Sequence, residues 1–210
     1  MEILQQISES LQKGEHEQVA ELTRQAIDAD LSPAQILNEG LTAGMDVVGQ
    51  RFGAHEIFLP ELLLAARAMN AGIDLLKPLF LGGEMPTQGK VVIGTVKGDL
   101  HDIGKNLVGI MLKGAGFEVI DVGNDVTADV FVDAAETEGA SVVGLSALLT
   151  TTMTGMKDVV ELVKSRGLQG KVKVIVGGAP LSKAFADEIG ADAYGYDASN
   201  AVEIVKELMA

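Results

Sequence analysis

Over the first eighty residues the apolar positions recur at helical spacing. Leu4, Ile7 and Leu11 form one set, and Val19, Leu22, Ala26 and Ile27 form a second. Ser32-Pro33-Ala34-Gln35 reads as a helix start, with a serine cap, proline in the first turn and glutamine at the capping-box position. The helix it opens carries Ile36, Leu37, Leu41, Met45 and Val48 and is expected to stop near Gly53. A last, longer helix is predicted from Leu59 to about Phe80, ending around Lys77-Pro78. Four helices with short connections predict a small bundle over residues 1–81. Residues 82–89 have the Gly, Pro and polar content of a linker, with Gly82-Gly83 as the expected hinge. From residue 90 the pattern changes. Apolar runs at 90–96, 117–122, 141–146, 172–176 and 191–194 alternate with amphipathic helical segments. Five strand–helix units predict a parallel sheet with helices on both faces. The expected architecture is therefore α/β: a helical bundle, then a doubly wound five-stranded domain of the Rossmann or flavodoxin type over residues 90–210.

Composition narrows the function classes. Of 210 residues 47% are hydrophobic but only 4% aromatic, so aliphatic side chains and eight Met must fill the core. The absence of Cys excludes disulfides, thiolate metal sites and cysteine nucleophiles, and fits a reducing cytoplasm. The start, Met1-Glu2-Ile3-Leu4-Gln5-Gln6, lacks the basic and apolar regions of a signal peptide. Glu61, Arg67, Asp74 and Lys77 interrupt the apolar stretch from Ile57 to Phe80, so no membrane span is expected. A net charge of −14 opposes nucleic-acid binding, which needs a basic surface.

Three strand ends in the second domain carry unusual residues. The first predicted strand runs into Gly98-Asp99-Leu100-His101-Asp102-Ile103-Gly104-Lys105-Asn106, which is expected to open a helix. An imidazole with a carboxylate two residues away suits a metal ligand whose second nitrogen is held by an acid. The second end, Gly144-Leu145-Ser146-Ala147-Leu148-Leu149-Thr150-Thr151-Thr152, runs out of a buried strand into a cluster of hydroxyls. The third, Val176-Gly177-Gly178-Ala179-Pro180, lets backbone approach a ligand. An open α/β sheet binds its ligand outside the carboxyl ends of its strands, so one long ligand could thread all three.

Each position also has an ordinary structural reading: a hydrogen-bonded surface His, turn glycines, and Thr150 to Thr152 as caps of the following helix. Familiar catalytic constellations fit poorly. The run from Gly98 to Lys105 is one residue too long for a phosphate loop, and Asn106 replaces its Ser/Thr. No G-x-G-x-x-G opens the first helix of the sheet domain, and Ser146 has no evident base partner. The other histidines, His16 and His55, fall in the helical region.

The series Asp99-x-His101-x-x-Gly104, Ser146-x-Leu148 and Gly177-Gly178 resembles the cobalamin-binding signature of corrinoid methyl carriers and of cobalamin-dependent methionine synthase. The likeness takes in the whole segment from Val96 to Asn106, and Phe58-Leu59-Pro60-Glu61-Leu62 looks like the family's helical cap domain. The resemblance implies that His101 replaces the cofactor's own dimethylbenzimidazole as lower axial ligand of cobalt, in a base-off corrinoid. It implies that Asp99 holds the far imidazole nitrogen, and that Gly98, Leu100, Asp102 and Gly104 belong to the cofactor-binding segment. Thr152 stands where the family places a Ser that extends the pair into a proton relay. Ser146, Leu148 and Thr150 are implied at the displaced nucleotide tail, Gly177 and Gly178 along its path, and Asp197-Ala198 near its end. Phe52 and Phe58 are candidates for the cap over the upper face.

The implied activity is carriage of a methyl group between a substrate:corrinoid methyltransferase and a second methyltransferase that passes it to tetrahydrofolate or coenzyme M. Such a carrier is not catalytic alone and is served by a reductive activation protein. Its helical domain is a candidate homodimer surface. Two other corrinoid roles share the signature, the cobalamin-binding subunit of a radical mutase and a B12-responsive regulator. The cap placed before the motif favours the methyl carrier over the mutase subunit, and the acidic chain shows no basic DNA-binding segment that would favour the regulator.

Overall fold

The computed structural model describes residues 2–80 and 86–209. Their contacts divide into two compact units, one of residues up to Pro86 with 114–116, the other of residues 87–113 and 117–210. The predicted hinge, Gly82-Gly83, lies outside the described residues.

In the first unit, Leu4, Ile7 and Leu11 are buried along one side of α1 (Glu2–Gln12), and Val19, Leu22 and Ala26 along one side of α2 (His16–Asp28). Ser32 caps α3 (Pro33–Gln35) by accepting the Gln35 N–H at 3.2 Å. Gln35 does not complete the box, because its side chain donates to Glu39 at 3.5 Å instead. The chain then passes through a π-helical stretch, Ile36–Thr42, into α4 (Ala43–Gly53). The sequence pattern does not reveal this widened turn. It lies where Gly40 and Gly44 pass against Ile7 and Ser8 of α1, with room for a Cβ only 3.2 and 3.0 Å away. The α5 helix (Leu59–Leu76) buries Leu62, Ala65, Ala68 and Met69, and Gly72 gives Leu41 its place. A 3₁₀ turn, Lys77–Leu79, ends α5 slightly short of the predicted limit, since Pro78 has no N–H to continue an α-helix. Among the described residues no helix is long and apolar enough to cross a membrane.

The second unit is a parallel sheet of β1 (Lys90–Thr95), β2 (Glu118–Asp121), β3 (Val142–Ser146), β4 (Lys173–Gly177) and β5 (Ala193–Gly195), ordered β2-β1-β3-β4-β5. The β5 strand starts later than its apolar run predicts. Asp192 turns its carboxylate onto the Val174 N–H at 2.8 Å, and pairing begins only after it. Between the strands run α6 (Ile103–Gly114), α7 (Ala128–Glu138), α8 (Gly155–Ser165), α9 (Lys183–Ile189) and α10 (Ala198–Met209). Val92, Val143, Leu145, Val174 and Val176 point to one face, into a core with α7, α8 and α9. On that face Gly94 leaves room for Phe131, whose ring lies 2.5 Å from where a Cβ would be. Val91, Ile93, Gly144 and Ile175 point to the other face, toward α6 and α10. This alternation is the pattern of a doubly wound sheet.

Candidate functional site

The strand register brings the three sequence segments to one edge. Thr95, Ser146, Gly177 and Gly195 are successive partners across β1, β3, β4 and β5. The chain leaves β1 toward β2 on one side and takes up β3 on the other, so the crevice between the loops after β1 and β3 is the topological switch point. The loops that carry Asp99-His101 and Leu148-Thr152 flank that crevice.

Asp99 sits there fully buried, with its carboxylate as a hub. Oδ1 accepts from the His101 N–H at 3.1 Å and lies 2.7 Å from His101 Nδ1. Oδ2 accepts from the Leu148 and Leu149 N–H groups at 2.8 and 3.3 Å and from the Thr152 hydroxyl at 2.7 Å. Burial works against the charge, but hydrogen bonds from Thr152, Leu148 and His101 outweigh it and hold the carboxyl well below the usual carboxylate range. An ionised carboxylate only accepts, so Nδ1 carries the imidazole proton and Nε2 presents a lone pair. The His101 side chain is 51% exposed, so that nitrogen is available to a ligand. Among the described residues no group of three or more His, Cys, Asp or Glu could hold a metal ion. A metal bound at His101 must therefore bring its other ligands with it, as a metal in a macrocycle does.

The loop is held by groups the sequence did not single out. Thr95 donates to the His101 carbonyl at 2.9 Å, and Asn124 to the Leu100 carbonyl at 3.3 Å. Asp125 accepts the Gly98 N–H at 2.8 Å, pairs with Lys97 at 3.2 Å, and gives its own N–H to the Asp99 carbonyl at 3.0 Å. The hydrogen bond from Gly98 and then Lys97 hold the Asp125 carboxyl below its ordinary value. We expect Asp125→Ala to leave the fold standing but loosen the His101 loop. Faster amide exchange at Gly98 to His101 than in Asp125→Asn, which keeps an acceptor, is the measurement that checks this.

Beside the hub a slot of about 380 Å³ runs along the α6–α10 face of the sheet. Gly104, Ser146, Gly177, Gly178 and Ala198 line it, as do Ile93, Lys105, Gly144, Ile175, Gly195 and Ala201. Gly177 and Gly195 are register partners that leave that part of the sheet without side chains, and Gly144 opens a second gap two residues further in, between Ile93 and Ile175. Gly178 has φ +139, and a Cβ there would lie 1.9 Å from the Ala147 carbonyl oxygen, so only glycine fits.

One sequence expectation is met and one needs correction. The helix after β1 begins at Ile103, so His101 stands in the loop before it; Asp102 contributes its carbonyl to the first turn, accepting from Asn106 at 2.8 Å. None of Thr150 to Thr152 caps α8, whose first residue follows Thr154, and Thr152 is instead bonded to Asp99. Thr150 is exposed in the β3–α8 turn and is not among the slot-lining residues, while Leu148 serves through its backbone N–H. Leu100 and Ile103 are strongly exposed beside His101. Phe52 is half-buried on α4 and Phe58 exposed at the start of α5, both in the helical unit. Sequence reasoning named Gly144 only as the start of the second strand-end segment, with no role of its own, and passed over Gly195. A glycine inside a buried strand such as Val142–Ser146 was the available signal, because it marks close approach by a ligand.

Known proteins resemble this chain along its whole length. Residues 89–205 match one B12 binding domain model and residues 3–77 match another. A corrinoid protein of Desulfitobacterium hafniense is 42% identical over 212 residues, spanning 100% of this chain and 98% of that protein. A dimethylamine corrinoid protein of Methanosarcina barkeri is 46% identical over 210 residues, 100% of this chain and 98% of its own. Among solved structures, the methanol:cobalamin methyltransferase complex of Methanosarcina barkeri matches with a TM-score of 0.91 at 32% identity, covering 99% of this chain and 80% of that one. A cobalamin-binding protein of Desulfitobacterium hafniense matches at 0.79 and 33%, covering 98% of each. With the Asp99–His101 pair and the glycine-lined slot in place, the chain belongs to the B12-binding corrinoid protein family.

Proposed function

We propose that this protein carries a methyl group on a corrinoid between two methyltransferases, with His101 as the lower axial ligand of cobalt. One observation carries the reading. His101 Nδ1 is locked to a buried carboxylate at 2.7 Å, so Nε2 is turned out beside a glycine-floored slot. When bound, the corrinoid supplies the cobalt centre on which the methyl group travels. The protein supplies ligation, orientation and proton control. Asp99 fixes the tautomer that leaves Nε2 free to coordinate. Thr152 donates to the opposite carboxylate oxygen at 2.7 Å, with its hydroxyl also 3.0 Å from the Leu149 carbonyl. The slot holds the displaced nucleotide tail, with Ser146 near its mouth and Gly177, Gly178 and Ala198 along its wall.

The likeness to dimethylamine corrinoid proteins and to a methanol:cobalamin methyltransferase complex supports a substrate:corrinoid methyltransferase as first partner. The second passes the methyl group to tetrahydrofolate or coenzyme M, and a reductive activation protein restores the active cobalt state. The test is the EPR spectrum of the Co(II) form with nitrogen-15 in the protein's histidines. The superhyperfine pattern is expected to change with the label and to lose the protein nitrogen in His101→Ala. A pattern that keeps nitrogen-14 coupling in the labelled protein would mean the cofactor retains its own base, and would overturn the ligand assignment.

A further inference from the structure

The slot has a chemical gradient along its length. Its polar side chains are few. Ser146 ends β3, and Tyr196 and Asp197 lie beyond β5, all at the carboxyl edge. One Asp197 oxygen accepts the Asn200 N–H at 2.8 Å. Lys105 is buried, but its ammonium is bound by Asp121 and by Asn106, the latter at 2.7 Å. Two residues further in, about 6.6 Å along the strands, the floor is Ile93, Gly144 and Ile175. Val108 and Leu107 of α6 and Ala201 of α10 complete the walls there. The strands β1, β3 and β4 are interior to the sheet, so their N–H and C=O groups at this depth are paired on both sides. Apart from the Lys105 ammonium, which Asp121 and Asn106 hold, the inner half of the slot therefore gives an aromatic ring apolar contact and offers its edge no side-chain hydrogen-bond partner.

We propose that this slot selects its corrinoid by the lower base, taking a benzimidazole-type base and rejecting a purine. The inference rests on the corrinoid reading above and names the ligand class of that same site. Both bases share the five-membered ring and its coordinating nitrogen, so the discrimination falls on the six-membered ring. In a benzimidazole that ring carries only C–H and methyl groups, which match Ile93, Val108 and Ile175. In adenine it carries an exocyclic amine and two ring nitrogens, which water satisfies outside and nothing satisfies here. A buried polar group without a partner is penalised far more than a good hydrogen bond is rewarded. Rejecting a ligand by leaving its polar groups unpaired is a general route to specificity.

The experiment titrates the full-length apoprotein with three probes: cobalamin, its adenine-base analogue, and cobinamide, which lacks the nucleotide tail. Dissociation constants are read from the absorbance change. Cobalamin is expected to bind about tenfold or more tightly than the adenine-base form, and cobinamide weakest of the three. Val108→Thr, which adds one hydroxyl to the inner wall at constant volume, is expected to narrow the cobalamin-to-adenine ratio severalfold. Adenine-base binding equal to or tighter than cobalamin in the parent protein would overturn the base selection. Cobinamide binding as tightly as cobalamin would overturn it too, because the slot would then hold no tail. If none of the three binds, the corrinoid reading itself fails, an outcome distinct from the other two.

Discussion

Asp99→Ala is expected to lower stability by roughly 3 kcal/mol, because five hydrogen bonds converge on one buried carboxylate. For a chain of this length that is a fall of roughly 6–12 °C in thermal midpoint, measurable by circular dichroism. Asp99→Asn is expected to recover little of it. One oxygen of the carboxylate faces His101 and the other faces Leu148, Leu149 and Thr152, all as donors. Turned one way the NH₂ meets the Leu148 and Leu149 N–H groups, and turned the other it meets the His101 N–H and can bond Nδ1 only if the imidazole takes the other tautomer. The same arrangement predicts the acid limb of the stability curve. The Asp99 carboxyl ionises below its ordinary value of 3.8 in the folded state. Its contribution is therefore complete above that ordinary value and is lost as pH falls below it, through the folded-state value. Urea midpoints compared between pH 6 and pH 3 should fall further in the parent protein than in Asp99→Asn. Equal falls would mean that other carboxylates govern acid unfolding.

Gly178→Ala is expected to be comparably damaging for a reason unconnected with hydrogen bonding. The backbone at φ +139 is one that side-chain-bearing residues rarely adopt, and the new Cβ would lie 1.9 Å from the Ala147 carbonyl oxygen. Strain and overlap together are worth about 3 kcal/mol or more. Relief requires the β4–α9 loop to move off the end of β3, which also reshapes the mouth of the slot. The variant should combine a lowered melting temperature with weakened corrinoid binding. Gly104→Ala is the control, since a Cβ there meets nothing within 4 Å in the apoprotein although Gly104 lines the same slot. A Gly178→Ala protein that melts like its parent would refute the close approach.

Much of the site was legible because its chemistry is encoded locally. Asp99 and His101 are two residues apart, so their contact needs only one tight turn, and Gly98 at φ +82 provides it. Thr152 was legible as a hydroxyl but open in role. The choice between capping α8 and bonding Asp99 depends on where the loop after β3 lies relative to the loop after β1, a separation of 53 residues. Asn124 and Asp125 carry no local signal at all. They act because parallel pairing of β1 with β2 brings the β2–α7 loop against the turn that holds His101. The π-helical stretch was likewise hidden, because its apolar spacing is also that of an α-helix.

The sequence by itself determined the two-part organisation, the class of the sheet, the ends of its strands and the Asp99–His101 pair. Those features follow from periodicity, turn chemistry and near neighbours, which are short-range properties. Only the tertiary structure decided the strand order, and with it the switch point, the partners of the second Asp99 oxygen and the slot floored by Gly144, Gly177 and Gly195. Each of these joins residues from different strands, and the register of a parallel sheet is set by the packing of both faces rather than by any one segment.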